Sequence, residues 1–286
     1  MKWFVALLSV SLLMAGTAGA VSPAVPDRAS MADPLDSPRW EDMRKTFFGK
    51  ARVVFDDRVK VVAPVTAENS LNVPVGVDAA ALSGVTQVLV FADFNPINEV
   101  LRFYPERGLA KLGFRVKLQQ STPVRAAART ADGVWHVNGV WVNTAGGGCT
   151  APSVGSSSPE WQSRLNEVSG RVWSREAANE GVSVASSSSS SQSATETPKS
   201  PDQLRLRLRI IHPMDTGLVA GIPAFFIQQL RLADEKGRGL MRIEAYEPVA
   251  ENPVFTIDLP AGLAASRVQV TGRDNGGNAI ETWVEP

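Results

Sequence analysis

With 286 residues and 29 basic against 29 acidic side chains, the chain is formally neutral, and the lack of a basic excess argues against a nucleic-acid partner. The length suits two domains of ordinary size, and 44% hydrophobic residues suffice for packed cores. One cysteine excludes an internal disulfide, and with only two histidines beside it no ligand cluster with metal-site spacing exists.

Residues 1–20 have the pattern of an export signal. Lys2 is the basic region, residues 3–14 are apolar, and Ala18-Gly19-Ala20 is a small-residue cleavage site. The apolar run is short for a membrane span, so none is expected in the mature chain. No cysteine follows the cleavage site and no twin arginine precedes it, which points to Sec-type secretion into a periplasm. In that oxidising compartment an odd thiol is reactive, paired between chains, or buried. Residues 21–36 lack periodicity and read as a mobile leader.

Ser37-Pro38 opens one helix, with Glu41 and Asp42 in its first turn, Trp40, Met43 and Phe47 on one face, and Gly49 as the stop. The stripe is expected to pack against a sheet edge. Short strands with turn signals follow: residues 52–55, 59–65, 73–75, 87–91, 114–118, 123–129 and 134–142. Pro74 marks an edge-like piece, and Asp132-Gly133 favours a tight hairpin. This spacing predicts an antiparallel, immunoglobulin-like sandwich over residues 37–149. It ends in Gly146-Gly147-Gly148-Cys149, which places the sole thiol on backbone with few conformational limits. Such an arm would present the sulfur to another protein. The alternative is an inert thiol tucked under a loop.

Residues 150–202 read as a serine-rich linker, with serines at 156–158 and 186–191. Within it Trp161, Leu165, Val168 and Val172 recur at helical spacing, leaving open a short helix in residues 159–178. From residue 203 alternation returns. Leu204, Leu206, Leu208 and Ile210 alternate with Arg205, Arg207 and Arg209, and further strands are expected at 225–232, 239–246, 254–258, 267–271 and 279–284. The whole is mainly β: two immunoglobulin-like sandwiches (37–149 and 203–286), one short N-terminal helix and a long linker. The arginine face is read as solvated, with attraction of an oxyanion or acidic partner as the alternative. Asp274-Asn275-Gly276-Gly277 is a turn, lacking the acidic spacing of a calcium loop.

The cysteine arm, the run Ile211-His212-Pro213-Met214-Asp215-Thr216-Gly217-Leu218, the segment Ile222-Pro223-Ala224-Phe225-Phe226-Ile227 and the Asp274 turn together resemble a fusion of the two subunits of a SoxYZ-type sulfur carrier. The chain is similar to the fused SoxYZ-like carriers associated with quinoprotein dehydrogenases. The resemblance implies a non-catalytic carrier of sulfur intermediates, with thiosulfate oxidation as the namesake role. Cys149 would be the covalent attachment point and Gly146, Gly147 and Gly148 its arm. It implies no cofactor beyond that covalent adduct. Partners would be periplasmic sulfur-oxidation enzymes, c-type cytochromes or a quinoprotein dehydrogenase system, with the two domains pairing within the chain. By residue pattern the 212–217 loop is a turn, with His212 structural; the resemblance leaves open that His212 and Asp215 face the arm. In the two-subunit carriers the arm ends its chain, whereas here Thr150-Ala151-Pro152 continues it, so the arm is tethered at both ends. The competing reading is a non-catalytic binding or scaffold protein accessory to a periplasmic dehydrogenase. A thiol oxidoreductase is disfavoured, because no second cysteine can resolve a mixed disulfide.

Overall fold

A computed structural model describes residues 32–153, 159–175, 203–259 and 267–285. The export signal, most of the leader and residues 176–202 of the linker lie outside the described residues.

The N-terminal half begins with α1 (Trp40–Phe48) and continues through nine strands: β1 (Val53–Phe55), β2 (Lys60–Val62), β3 (Thr66–Ala67), β4 (Val73–Asp78), β5 (Val85–Ala92), β6 (Glu99–Tyr104), β7 (Lys111–Val116), β8 (Thr122–Thr130) and β9 (Trp135–Thr144). After α2 (Pro159–Ser163) come β10 (Val168–Arg175), β11 (Gln203–Ile210), β12 (Ile227–Ala233), β13 (Gly239–Ala245), β14 (Val254–Leu259), β15 (Val268–Asp274) and β16 (Ala279–Val284). The chain is mainly β, with sheets that correspond to two sandwich halves.

Those halves share both their sheets. One sheet runs β1-β9-β8-β5-β6-β13-β12-β15-β16, and the other β10-β11-β14-β7-β4-β2. The first crosses from half to half at β6 and β13, with Phe103 opposite Ile243 and Arg102 opposite Glu244. The second crosses at β7 and β14, with Leu112 opposite Ile257. Each joint satisfies a strand edge that would otherwise expose unpaired backbone groups. A single apolar cluster therefore continues through the junction, with Phe103, Leu112 and Phe114 from one half meeting Leu206, Ile243 and Phe255 from the other.

Four expectations need correction. Helix α1 starts at Trp40 with Arg39 at the N-cap and no side-chain cap; the Ser37 hydroxyl only accepts the Arg39 N–H at 3.4 Å. It packs on a sheet face rather than an edge, with Trp40, Met43 and Phe48 against Leu89, Phe91 and Trp135. The end of the leader is fixed, because the Asp33 carboxylate pairs with Arg125 at 2.7 Å. Within the linker, residues 168–175 are strand β10, paired antiparallel with β11 over its whole length, and the helix there is limited to Pro159–Ser163. Pro74 behaves as its chemistry requires. β2 covers β4 only at Gly76, Val77 and Asp78, so Pro74 lies where the second neighbour has run out.

Candidate functional site

The site forms where β7 leaves its sheet at the seam. Lys117 N–H donates to the Pro248 carbonyl of the second half at 2.7 Å, and Leu118 N–H donates to Ser70 O at 2.8 Å. The Asn95 side chain then ties both ends of the turn, its Nδ2 donating to Lys117 O and its Oδ1 accepting Gln119 N–H, each at 2.9 Å. Together these contacts make a rigid backbone shelf.

The glycine arm lies on that shelf. Gly147 N–H donates to Gln119 O at 2.9 Å, Gly148 N–H to Leu118 O at 3.0 Å, and Ser70 Oγ to Gly146 O at 2.7 Å. The glycines are needed for this fit. Gly146 and Gly147 have φ of 89° and 83°, a region that side-chain-bearing residues rarely adopt. A Cβ on Gly146 would come within 2.6 Å of Gln119 O, and one on Gly148 would collide with the Ser70 carbonyl.

Cys149 follows. Its N–H donates to Gln119 Oε1 at 3.2 Å, and its carbonyl accepts the Thr216 hydroxyl from the second half at 2.7 Å. The sulfur lies 3.5 Å from Lys117 O. The residue is 1% exposed. A freely presented thiol is thus not what this conformation contains: the glycines give close backbone approach, and the arm is folded down. The sulfur is outside both apolar clusters, at a polar seam between Lys117 and the Asp215-Thr216 turn.

Burial sets the electrostatics. It pushes the Cys149 thiol up to about 11, with the Lys117 ammonium pulling the other way. Burial also pushes Lys117 down to about 8, opposed by Asp215 and by Cys149. Its ammonium donates to Met214 O. Docked Cys149 is therefore a neutral thiol, and the nearest cation is half-committed to a carbonyl.

The 212–217 loop meets the arm through Thr216, while Met214 O takes the Lys117 ammonium and Asp215 acts on that ammonium electrostatically. His212 turns away: its Nδ1 accepts the Met214 N–H at 3.0 Å, its ring stacks 4.6 Å from Phe225, and its Nε2 points toward Asp274 at 3.7 Å. Burial pushes it down to about 4, so it is uncharged and serves the loop's shape. Among the described residues, no group of three or more His, Cys, Asp and Glu is placed to hold a metal. Sequence reasoning missed Lys117, Gln119, Asn95, Ser70 and Thr216. Only Thr216 carried a signal, through the loop motif that contains it.

The geometry coincides with family boundaries. The family model for the sulfur oxidation protein SoxY matches residues 44–149 and ends on Cys149, and that for the sulphur oxidation protein SoxZ matches residues 194–284. The chain is a fused SoxYZ-like protein. Shelf and arm belong to its SoxY half, and Met214, Asp215 and Thr216 to its SoxZ half. A solved structure of the sulfur carrier protein SoxY from Chlorobium limicola f thiosulfatophilum is 21% identical, over 37% of this chain and 96% of that one, with a TM-score of 0.33. No curated protein matches the chain.

Proposed function

We propose that this SoxYZ-like chain is a carrier that holds sulfur intermediates on Cys149 and offers them to partner enzymes. The supporting observation is the position of its one cysteine. It ends the SoxY match, and it is held at the seam by hydrogen bonds that an arm could break and remake. The compartment is the periplasm, reached through the export signal of residues 1–20. The partners are sulfur-oxidation enzymes, with c-type cytochromes or a quinoprotein dehydrogenase system completing the electron path.

Loading is an exchange at sulfur. The arm lifts from the shelf and the thiol loses its proton to solvent. The thiolate then attacks an electrophilic sulfur of the donor. A Cys149 S–S bond forms as the donor's bond breaks, and the leaving group departs with the electron pair. Thr216, Gln119 and Ser70 return the arm to its berth. The folded-down state shields the thiol from indiscriminate oxidation, since reactivity follows exposure and thiolate character.

The second reading, a scaffold with an inert thiol, draws on the 1% exposure of Cys149. Incubation with tetrathionate separates the two. Carriage predicts transfer of one thiosulfate-derived group per chain, mapped to Cys149 by mass spectrometry and absent from Cys149→Ser. A native protein that stays unmodified until denatured supports the scaffold.

A further inference from the structure

We propose that the outer face of the six-stranded sheet carries a binding site for a tetrahedral oxyanion group, sulfate or a terminal sulfonate, formed by Arg171, Arg207, Arg209 and Arg115 across the junction of the two halves.

The register assembles it. Arg171 on β10 is directly opposite Arg207 on β11, Arg207 is opposite Thr256 on β14, and Thr256 is opposite Gly113 on β7. Arg209 stands two residues from Arg207, and Arg115 two from Gly113, so each pair shares a face. Leu206, Leu208, Leu112 and Phe114 on the opposite face are buried in the core, which fixes the arginines outward. Gly113 and Gly76, paired with one another, have no side chains and leave a recess beyond Thr256. Beside this recess, two joined clefts of about 610 and 560 Å³ share Arg207, Arg209 and Val254.

Positive charge is concentrated on this face. Like charges directly opposite on neighbouring strands repel. Among the described residues, none of these four arginines has an ion pair or side-chain hydrogen bond. Glu251 is the one carboxylate among the described residues that lines the second cleft. On the same strand, Arg205 is neutralised by Asp258 at 2.6 Å, and Arg125, Arg102 and Arg242 are each paired with acids. An anion between Arg171, Arg207 and Arg209 would relieve the repulsion. Neighbouring strands are about 4.8 Å apart and alternate residues about 7 Å apart. Three guanidiniums at that spacing can each take an oxygen of one tetrahedral group, the geometry that guanidinium favours. Such convergence suits a compact anion better than a broad acidic protein surface.

Ala151 and Pro152, directly after Cys149 and Thr150, line the second cleft. The oxyanion can therefore come from solution or be carried by the arm. The latter source rests on the carrier reading; the site itself does not.

The test is calorimetric titration of Cys149→Ser protein with sodium sulfate against a chloride background of constant ionic strength. Saturable binding near one equivalent is expected, weakened at least tenfold in Arg207→Gln/Arg209→Gln and in Arg171→Gln, less in Arg115→Gln two strands away, and unchanged in Arg44→Gln on α1. Heats that never saturate, or binding indifferent to the cleft substitutions, would overturn the site whether or not Cys149 carries sulfur. Wild-type protein converted to the Cys149 S-sulfonate distinguishes the sources. Loss of sulfate binding there shows the tethered group filling the site, and retained binding shows that free oxyanion is its ligand.

Discussion

The Thr216 hydroxyl donates to the backbone carbonyl of Cys149 over 2.7 Å, so the SoxZ half holds the last residue of the SoxY arm. The loop that carries Thr216 is itself pinned, with Asp215 and Phe225 exchanging backbone hydrogen bonds at 2.7 and 3.0 Å. The glycine arm is the softer partner. Freeing of the arm then depends on contacts between halves, and this gives a reason for both to reside in one continuous sandwich.

Thr216→Val removes that donor while nearly keeping side-chain shape. A hydrogen bond of this kind contributes about 1 kcal/mol net, so the population of lifted arm should rise roughly fivefold. Native-state alkylation of Cys149 by iodoacetamide should accelerate by about the same factor, with global unfolding destabilised by no more than about 1–2 kcal/mol, since the Leu218 N–H also loses the Thr216 oxygen. An unchanged labelling rate would show that Thr216 does not hold the arm.

The pH profile of that labelling tells where the sulfur reacts. The docked thiol is pushed up to about 11 by burial, whereas a free cysteine titrates near about 8.5. Because the folded value is the higher, docking is favoured fully below the free value and loses that contribution as pH rises toward 11. Lys117 acts in the opposite sense, its folded value being pushed down to about 8: lifting the arm over a protonated lysine gains stability relative to docking as pH falls through that value. With Cys149 1% exposed, the lifted arm should be the reactive species, and because docking weakens over the same window the rate should keep climbing past the free thiol's value toward about 11. A rate that levels off near about 8.5 would show that the arm is already lifted, rather than docked, at neutral pH. In Lys117→Met the lysine contribution vanishes, and docking should weaken monotonically with rising pH.

Local alternation made most strands legible. Residues such as Leu204, Leu206 and Leu208 bury one face of β11 and leave the other wet, a pattern that needs no tertiary information. Strand β10 was obscure for a specific reason. Val168 and Val172 are four apart, which is one helical turn but also two strand repeats, and pairing with β11 decides between them. Lys117 extends the polar face that begins at Arg115, yet it is 3% exposed. β7 ends at Val116, and the next peptide is captured by Pro248 from the other half. Cysteine and glycines announced an arm, but its berth is made of backbone carbonyls at residues 70, 118 and 119, which have no sequence signature.

Two glycine substitutions should separate sterics from backbone strain. In Gly148→Ala the new methyl meets the carbonyls of Ser70 and Leu118, so the arm cannot seat and labelling should approach that of the unfolded protein. At Gly147 a methyl would have no neighbour within 4 Å, but φ is 83°, and Gly147→Ala should cost about 1–2 kcal/mol of docking, roughly a tenfold faster rate. Equal effects from the two would contradict the close seating of Gly148.

Stability of the SoxY half should hinge on Arg125, which is fully buried. Its Nε lies 3.0 Å from Asp93, and its terminal nitrogens reach Asp33 at 2.8 and 2.7 Å. Its guanidinium also stacks 4.8 Å from the ring of Trp40 on α1. Arg125→Met would strand two carboxylates without a counter-charge, at a cost of about 3–5 kcal/mol. Asp33→Asn keeps Asp93 in place and should cost less, about 1.5–3 kcal/mol for lost charged hydrogen bonds. Burial raises the Asp33 value, but the Arg125 guanidinium and the Ser37 and Leu35 amides outweigh it and hold it below the ordinary carboxylate range. Asp33 therefore contributes stability in full above about pH 4, and that contribution fades as pH falls through the depressed folded value. Urea unfolding of wild type and Asp33→Asn should accordingly differ at pH 7 and converge toward pH 2. A gap that persists to pH 2 would show that Asp33 acts by packing rather than by charge.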